Sequence, residues 1–491
     1  MEQIQDAREN PVSLPKAAAA PLLGLFWLVG GVAANSAPDP QQAAALYREH
    51  CATCHGDRRY GGYSPPLIPQ TLARKSDEAL VRAILDGLPN TQMEPFAKSL
   101  DGERARALVR LLREPVEDIS WTAADMSASR VEFDIEGGAI PATVQRESLT
   151  LVVERGKGSV SLLDGDGLTE LDRFEVGRIH GGIKFDRALR RALASTRDGT
   201  VALYDLARGG LRAKVKVGVN TRNIAISADG AFVAAANQLP SGLVVLDGDL
   251  HPLRVFPLEG QPSAVYQVPG SDRFVLTLRD VPRLYWVRYP ELTLESVELP
   301  EPFEDFVFVP GTQRLVASSR AGSRLLLYDY ARAQIVATLA TQGLPHLFSA
   351  CFFPGEGGIR AAFNHLGTPR LSIVDMQSFQ IVKEIPLRGS GYFARTHPGT
   401  PYLWVDTNTE EIQLVAKDTL ELLERSVVPE RGKKAMHVEF TSDGRRAFVS
   451  VWDDDGAVVV YDSTRLTELG RMPYAMPVGK YNAGNKTRLL R

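Results

Sequence analysis

A short apolar segment that ends at a turn residue returns eight times in this sequence, and the repeat restricts the possible folds more than any other feature. The last residues of successive copies are 41 to 46 positions apart, and the copies lie at 160–164, 201–205, 243–247, 284–288, 325–329, 371–375, 412–416 and 458–462. Such a period, built from short strands, is typical of four-stranded propeller blades. The regular spacing disfavours an array of all-β sandwiches. We predict a mainly β chain with an eight-bladed β-propeller over residues 130–491, closed by pairing of the final strand with the first blade.

A second feature lies ahead of the repeats and has the spacing of a c-type heme attachment site, Cys51-Ala52-Thr53-Cys54-His55. Two thiols at this spacing can bond to the vinyl groups of one porphyrin, and the adjacent imidazole can reach the iron. A redox dithiol or half of a zinc site is the alternative. We therefore predict covalent heme c on Cys51 and Cys54, with His55 as an iron ligand.

The residues around this motif predict a small all-α domain over residues 38–115. A helical stretch opens at Asp39 before the motif, and an amphipathic helix with Leu108 and Leu112 on one face follows it. Met93 lies in the loop between them. This order resembles a class I cytochrome c, which implies that Met93 is the sixth ligand of the heme c iron. A buried core methionine is the alternative.

The first 37 residues predict export. They contain Lys16, an apolar run to Ala34 and a small-residue site that ends at Ala37, which together are typical of a signal peptide. An uncleaved membrane anchor is the alternative, since the run is close to the shortest helix that spans a bilayer. Heme c is attached outside the bacterial cytoplasm, so we expect a periplasmic protein.

Charge and cysteine content exclude two classes of protein. The chain has 491 residues, with 56 basic and 59 acidic side chains and a net charge of -3, which gives no indication of nucleic-acid binding. With two of its three cysteines assigned to heme, only Cys351 remains, so no disulfide framework can form.

Histidines mark the connections between predicted blades. His180 precedes Gly181 and Gly182, while His346 and His437 occupy the same phase of later repeats, and His397 lies a few residues past it. Propeller ligands bind where such connections converge at the mouth of the central channel. These histidines are therefore candidates for a ligand site.

Several segments together resemble the cytochrome cd1 family, in which a cytochrome c domain precedes an eight-bladed propeller that binds heme d1. The matching pieces are Val176-Gly177-Arg178-Ile179-His180, Thr196-Arg197-Asp198-Gly199, Pro345-His346, Thr396-His397-Pro398, Val449-Ser450-Val451-Trp452 and Gly479-Lys480-Tyr481-Asn482. The likeness covers nearly everything after the predicted signal peptide. It implies that His180 is the axial ligand of the heme d1 iron.

A tetrapyrrole of this kind has several carboxylates, for which cationic side chains are charge-assisted partners. The candidates are Arg155, Arg197, Arg222, Arg395 and Lys480, with His397 as a further contact. Each arginine taken singly has a surface position as its alternative.

Two departures separate this chain from nitrite-reducing members of the family. Those members place two histidines over the distal face, whereas here only His346 matches and residues 301–306 contain no histidine. In addition, His437 stands where nitrite reductases usually have glutamine.

The resemblance instead implies a role in heme d1 biosynthesis, namely oxidation of one propionate of dihydro-heme d1 to the acrylate of heme d1. Such a dehydrogenation needs a base and an electron sink, so His346 and His437 are the predicted catalytic residues and heme c is the sink. The expected partners are the tetrapyrrole substrate, an electron-acceptor protein and a cytochrome cd1 nitrite reductase that receives heme d1. The alternatives are a nitrite reductase and a non-catalytic heme d1 carrier.

Overall fold

A computed structural model describes residues 39–61, 64–73, 75–88, 93–117, 119–135, 140–177, 179–319 and 323–488. The predicted signal peptide lies outside these residues. Within the described ranges, no helix is long and apolar enough to cross a membrane.

The N-terminal domain is helical. Its helices are α1 (Pro40–His50), α2 (Ala52–His55), α3 (Pro69–Leu72), α4 (Asp77–Leu85) and α5 (Gly102–Arg113). Polar side chains begin the three longer helices, since Asp39, Ser76 and Asp101 each accept a hydrogen bond from a backbone N–H of the first turn. Apolar faces of α1, α4 and α5 meet in one core that includes Leu80 and Leu108. These helices hold the heme c motif between them.

The segment after α5 attaches this domain to the propeller. It forms α6 (Ala123–Ser129) and β1 (Val131–Glu132), and β1 pairs with a strand of the second blade. The indole N–H of Trp121 donates to the carbonyl of Lys216 at 2.8 Å. The connection is therefore packed against the outer edge of the propeller.

Eight antiparallel sheets form the propeller within the described residues, which confirms the predicted fold class. Blades 1 to 4 contain β2 (Leu149–Glu154), β3 (Ser159–Asp164), β4 (Thr169–Glu175), β5 (Lys184–Phe185), β6 (Arg191–Ser195), β7 (Thr200–Asp205), β8 (Gly210–Lys216), β9 (Asn220–Ile226), β10 (Phe232–Leu239), β11 (Ser241–Asp247), β12 (Pro252–Pro257), β13 (Pro262–Gln267), β14 (Arg273–Leu278), β15 (Arg283–Arg288) and β16 (Thr293–Glu298).

Blades 5 to 8 contain β17 (Asp305–Phe308), β18 (Arg314–Ser319), β19 (Arg324–Asp329), β20 (Gln334–Ala340), β21 (Leu344–Pro345), β22 (Cys351–Gly355), β23 (Gly358–Leu366), β24 (Thr368–Asp375), β25 (Gln380–Pro386), β26 (Ala394–Arg395), β27 (Tyr402–Asp406), β28 (Ile412–Ala416), β29 (Lys434–Phe440), β30 (Arg446–Trp452), β31 (Gly456–Asp462) and β32 (Glu468–Tyr474). The chain continues with β33 (Pro477–Asn482) and α7 (Ala483–Arg488), and short 3-10 helices lie at Arg146–Ser148 and Leu347–Ser349.

Every copy of the sequence repeat is the third strand of a blade. Six of the eight copies end in an aspartate, which fixes the following turn: Asp205 Oδ1 accepts hydrogen bonds from the backbone N–H groups of Ala207 and Arg208, both at 2.9 Å. Asp329 makes the same pair of hydrogen bonds in blade 5. The repeat is thus visible in the sequence because both the buried strand and its turn are encoded locally.

Ring closure is made by β33, which pairs antiparallel with β2 and so becomes the first strand of blade 1. The amide of Asn482 adds hydrogen bonds to the carbonyl of Leu149 at 3.3 Å and to Oγ1 of Thr150 at 3.2 Å. The predicted closure of the ring is therefore confirmed. It joins residues more than 300 positions apart in the sequence.

Strand direction sorts the loops onto two faces of the ring. Because neighbouring strands in a blade are antiparallel, connections between blades and connections from second to third strands emerge together on what we call the upper face. Connections from first to second strands emerge on the lower face. The first strands lie at one end of each sheet and surround the central channel.

A chain that stops at Tyr474 lacks the closing strand, and we expect its propeller to lose cooperative folding because β2 of blade 1 then has no inner partner strand. Thermal unfolding followed by circular dichroism measures this effect, with a chain that stops at Arg488 as the control. An equal melting temperature for the two chains would contradict the closure role of β33.

Candidate functional site

The heme c motif presents its histidine in one defined form. His55 is buried at the end of α2, and its Nδ1 lies 2.7 Å from the carbonyl oxygen of Pro65. A carbonyl only accepts, so Nδ1 carries the ring proton and Nε2 keeps its lone pair. Burial lowers the pKa of His55, which favours this neutral form. The arrangement is the one that an iron ligand requires.

Met93 lies against the same apolar core as Cys51 and Phe96. Gly87 has a positive φ of 70°, and a Cβ on it would meet the carbonyl oxygen of Met93 at 2.7 Å. The loop therefore needs glycine to bring Met93 close to α4. The structure places Met93 beside the motif, and its role as an iron ligand stays a prediction.

His180 lies on the upper face, between blades 1 and 2. Its Nδ1 donates to the carbonyl of Arg222 at 2.9 Å, and Arg197 Nη2 donates to its Nε2 at 2.9 Å. Burial, followed by the nearby charges of Arg197 and Arg222, lowers the pKa of His180 well below its ordinary value. The imidazole is thus neutral, and the lone pair of its Nε2 accepts a hydrogen bond from Arg197, a partner that can be exchanged for another.

Two glycines follow His180 in its loop. Gly181 and Gly182 both have positive φ, and a Cβ on them would lie 2.9 Å from the Asn223 side chain and 2.8 Å from the Tyr481 ring, respectively. They let the loop pack tightly against blade 3 and the closing strand.

Arginines collect around His180. Arg155, Arg197 and Arg279 follow the second strands of blades 1, 2 and 4, and Arg222 lies in β9. Burial, then the charges of Arg222, Arg279 and Arg155, lower the pKa of Arg197 to about 9. Cations held this close together favour an anionic ligand.

Sequence reasoning missed Arg279. A usable signal existed, because Arg279-Asp280 follows its strand in the phase that Arg197-Asp198 occupies two blades earlier. Arginines at this point of the repeat lie in connections from second to third strands and therefore reach the upper face.

His346 lies beside a buried carboxylate. Its Nδ1 donates to the carbonyl of Tyr392 at 2.7 Å, which leaves the lone pair on Nε2. Burial lowers the pKa of His346, whereas the Tyr392 carbonyl and Asp305 raise it. Asp305 accepts from the backbone N–H of Phe348 at 2.6 Å, and burial raises its own pKa against the opposing charges of His346 and Arg222.

His437 has the opposite tautomer. It is the bulged residue of β29, with φ of 47°, and is 2% exposed. The backbone N–H of Lys480 donates to its Nδ1 at 3.4 Å, so the neutral ring carries its proton on Nε2. Burial, then the charges of Lys480 and Arg395, lower the pKa of His437 well below its ordinary value. A bulge turns this side chain out of the regular strand pattern.

The two histidines are therefore not equivalent, although the sequence suggests equal roles. His346 offers a lone pair and can act as a base, whereas His437 offers an N–H and can only donate in its neutral form. The ring of Phe393 lies between them, with centroid distances of 6.2 Å to His346 and 4.7 Å to His437. Tyr481 is 5.6 Å from His437 on the other side. The structure thus brings both predicted catalytic residues into one wall of the channel.

Lys480 has a supporting position. Its ammonium is 0% exposed and donates to the carbonyl of His437 and to Oγ of Ser450. This placement argues against the expected contact between Lys480 and a tetrapyrrole carboxylate. Arg395 lies in β26 over the Phe393 ring, and among the described residues its buried Nε has no hydrogen-bond partner.

His397 lies on the opposite face of the propeller from His180. It follows β26 in a connection from first to second strand, which places it on the lower face. There it packs against Phe440, and Arg488 of α7 donates to its Nε2 at 2.8 Å. The expected role of His397 in ligand binding is therefore not supported, because one further strand reverses the face that a residue reaches.

Lys184 and Tyr266 are two further side chains that the sequence did not indicate, and they lie on the first strands β5 and β13. Lys184 is 5.9 Å from the centroid of the Tyr266 ring, across the channel wall. Burial, then the charge of Lys486, lower the pKa of Lys184 to about 8. Strand β5 is too short to give a periodic signal, so Lys184 could not be found by pattern.

Comparisons with known proteins agree with this geometry. The family described as cytochrome D1 heme domain matches residues 144–486, and the family described as cytochrome C oxidase, cbb3-type, subunit III matches residues 38–112. The chain belongs to the cytochrome D1 heme domain family. The N-terminal match agrees with a cytochrome c domain ahead of it.

Two of the following relatives match nearly the whole chain, and a third matches about two thirds of it. The dihydro-heme d1 dehydrogenase of Pseudomonas aeruginosa is 39% identical over 94% of this chain and 97% of its own length. A solved structure described as dihydro-heme d1 dehydrogenase NirN in complex with DHE has a TM-score of 0.78 and 38% identity, and the match covers 91% of this chain and 100% of that chain. The protein NirF of Pseudomonas aeruginosa is 26% identical over 67% of this chain and 90% of its own length.

The residues present fit both prosthetic groups that the family implies. His55 has the tautomer that an iron ligand needs, beside two cysteines at the attachment spacing. On the upper face of this cytochrome D1 heme domain, a neutral imidazole at His180 lies among guanidinium groups that match the carboxylates of a tetrapyrrole.

Replacement of Met93 by Ala tests the heme c ligand. We expect the heme to stay covalently attached while the near-infrared band of sulfur-to-iron charge transfer disappears, because the thioether is lost. Met472→Ala, in β32 of the propeller, serves as the control and should retain the band. A parent spectrum without this band would contradict the assignment.

Replacement of His180 by Ala tests the heme d1 ligand. We expect weaker tetrapyrrole binding and an altered spin state, with the heme c spectrum unchanged, since only the propeller ligand is removed. Optical titration measures both effects. His251→Ala, a half-exposed histidine paired with Asp247, should titrate like the parent. An unaltered heme d1 spectrum in His180→Ala would show that another group binds the iron.

Proposed function

We propose that this chain is a dihydro-heme d1 dehydrogenase, which converts one propionate of the substrate into an acrylate. The observation that supports this most strongly is the pair of complementary histidines in one channel wall, His346 with a free lone pair and His437 with a free N–H. The names of the full-length relative and of the solved structure point to the same activity.

The reaction removes one hydrogen from each of two adjacent carbons, so two protons and two electrons leave and a carbon–carbon double bond forms. His346 Nε2 accepts one of the two protons from the side chain, because burial keeps this imidazole neutral near pH 7, and the other proton leaves to solvent. His437 donates its Nε2 proton as a hydrogen bond to the side-chain carboxylate and so orients it. Cys51, Cys54 and His55 would hold heme c, which would supply a one-electron sink for the two electrons in turn, on their way to an external acceptor.

The upper-face arginines hold the substrate in this account. Arg155, Arg197 and Arg222 surround His180, so the peripheral carboxylates of an iron tetrapyrrole can be neutralised while His180 binds its metal. Arg395 faces His346 from the neighbouring blade and suits the carboxylate that is next to the reacting carbons.

Nitrite reduction is the weaker alternative. That reaction needs a second proton donor over the bound oxygen, and the corresponding segment of blade 5 supplies the carboxylate Asp305 instead of a histidine. Asp305 already accepts hydrogen bonds from Phe306 and Phe348. A heme d1 carrier without turnover is the other alternative, and stoichiometric binding with no spectral conversion would favour it.

Export and delivery belong to the same proposal. A periplasmic location follows from the predicted signal peptide and from the covalent heme c. An electron-acceptor protein is required because heme c holds one electron while the reaction releases two. A cytochrome cd1 nitrite reductase is the proposed recipient of the finished heme d1.

Substitution of the two histidines separates their roles. We expect His346→Gln to bind dihydro-heme d1 normally but to convert it on the order of 100-fold more slowly, since no base remains. His437→Gln keeps an N–H donor, so its rate should fall less, by about 10-fold. Single-turnover absorbance with an oxidant in excess measures both rates.

The pH dependence of the parent gives a further test. His346 acts as a base only when it is neutral, so the rate should fall as the pH drops through its pKa, which burial places below the ordinary histidine value. Asp305 raises that pKa, and Asp305→Asn should therefore move the loss of activity to lower pH. Two histidine variants with the parent rate would rule out the catalytic assignment and favour a carrier.

A further inference from the structure

One buried carboxylate of blade 7 lies between the two candidate catalytic histidines. Asp406, at the end of β27, is 1% exposed. Its Oδ1 accepts hydrogen bonds from the backbone N–H groups of Tyr392 at 2.6 Å and Phe393 at 3.0 Å. Its Oδ2 accepts from the backbone N–H of His437 at 3.2 Å. A single side chain thus holds two separate segments of the channel wall.

The first segment determines the state of His346. The peptide unit of Tyr392 is held at its N–H by Asp406, and the carbonyl of the same residue accepts the Nδ1 proton of His346 at 2.7 Å. This carbonyl also accepts from the hydroxyl of Ser349. Asp406 therefore acts on the tautomer of His346 through one residue of backbone.

The second segment determines the direction of His437. A bulge residue with φ of 47° takes its N–H out of the strand ladder, and a buried N–H needs another acceptor. Asp406 Oδ2 provides that acceptor. Because Phe393 contacts both histidine rings, the same carboxylate also positions the aromatic side chain that separates them.

We propose that Asp406 is a positioning residue for the oxidation, which holds His346 and His437 in complementary tautomers and at a fixed separation. This inference rests on the proposed dehydrogenase function and adds to it a residue that touches neither heme nor the reacting carbons. Arg395 and Lys480 are the cations that face Asp406. Both remain in place when only the carboxylate is changed.

Asp406→Asn is a specific probe because it keeps the size of the side chain. An amide oxygen can still accept from Tyr392 and Phe393, but the amide nitrogen then faces the N–H of His437 and cannot accept. We expect the rate of dihydro-heme d1 oxidation to fall by about 10- to 100-fold, while the dissociation constant of the tetrapyrrole changes less than about threefold.

Asp186→Asn is the matched control. Asp186 is also fully buried and accepts from two consecutive backbone N–H groups, those of Arg190 and Arg191, at 2.8 and 2.9 Å. It lies in a first-to-second-strand connection on the lower face. We expect this variant to oxidise the substrate at the parent rate.

A second readout does not depend on turnover. In tetrapyrrole-free protein with reduced heme c and nitrogen-15-labelled histidine, the ring-nitrogen resonances of His346 and His437 report their tautomers. Both sets should shift in Asp406→Asn and stay unchanged in Asp186→Asn. Should Asp406→Asn fail to fold, Asp406→Ser, whose hydroxyl can accept one of the same N–H groups, replaces it in both measurements.

Three results would overturn the inference: a parent-like rate in the Asp406 variant, an equal loss of rate in Asp186→Asn, or histidine resonances that do not move. A fall in affinity as large as the fall in rate would likewise assign Asp406 to general stability. If the parent itself does not oxidise dihydro-heme d1, the proposed function fails, and the resonances alone then decide whether Asp406 holds the histidines.

Discussion

Pairing of β33 with β2 is the interaction on which the rest of the propeller depends. It turns a row of blades into a ring, and only a closed ring makes the first strands converge on one channel. The closing strand also brings Tyr481 next to His437 and packs it against Gly182 in the loop after His180. A stability contact between the two ends of the domain is thus also a contact of the candidate site. Loss of closure would separate groups that no shorter-range contact holds together.

The sequence predicts the outer part of each blade well and the inner part poorly. Third strands are buried, regular in spacing and followed by an aspartate such as Asp205 that fixes the next turn, so their signal is local. First strands such as β5 and β26 contain two residues each, and periodicity needs more. Part of the channel wall is built from short strands, which explains why Lys184 in β5 and Asp305 in the four-residue β17 were not anticipated.

Whether a residue reaches the site depends on which end of its strand it lies at. Its state there also depends on contacts with residues of other blades. His180 lies in a connection between blades, and His346 lies in the inner strand of blade 6 between β21 and β22, whereas His397 follows the first strand of blade 7 and reaches the lower face. The difference between His346 and His437 comes from the carbonyl of Tyr392 and the N–H of Lys480, each more than 40 positions away in the sequence. Spacing alone has no information on which ring nitrogen is protonated.

Charge links ligand binding to the stability of this fold. The folded chain holds Arg197 among other guanidinium groups, and its pKa falls to about 9, so the unfolded chain binds this proton more tightly. The resulting cost is fully present at neutral pH and disappears only above the folded pKa. Carboxylates of a bound tetrapyrrole would offset the same repulsion, and a ligand that binds only the folded state stabilises it. The arginines that select an anionic ligand therefore also make the empty propeller less stable than the loaded one.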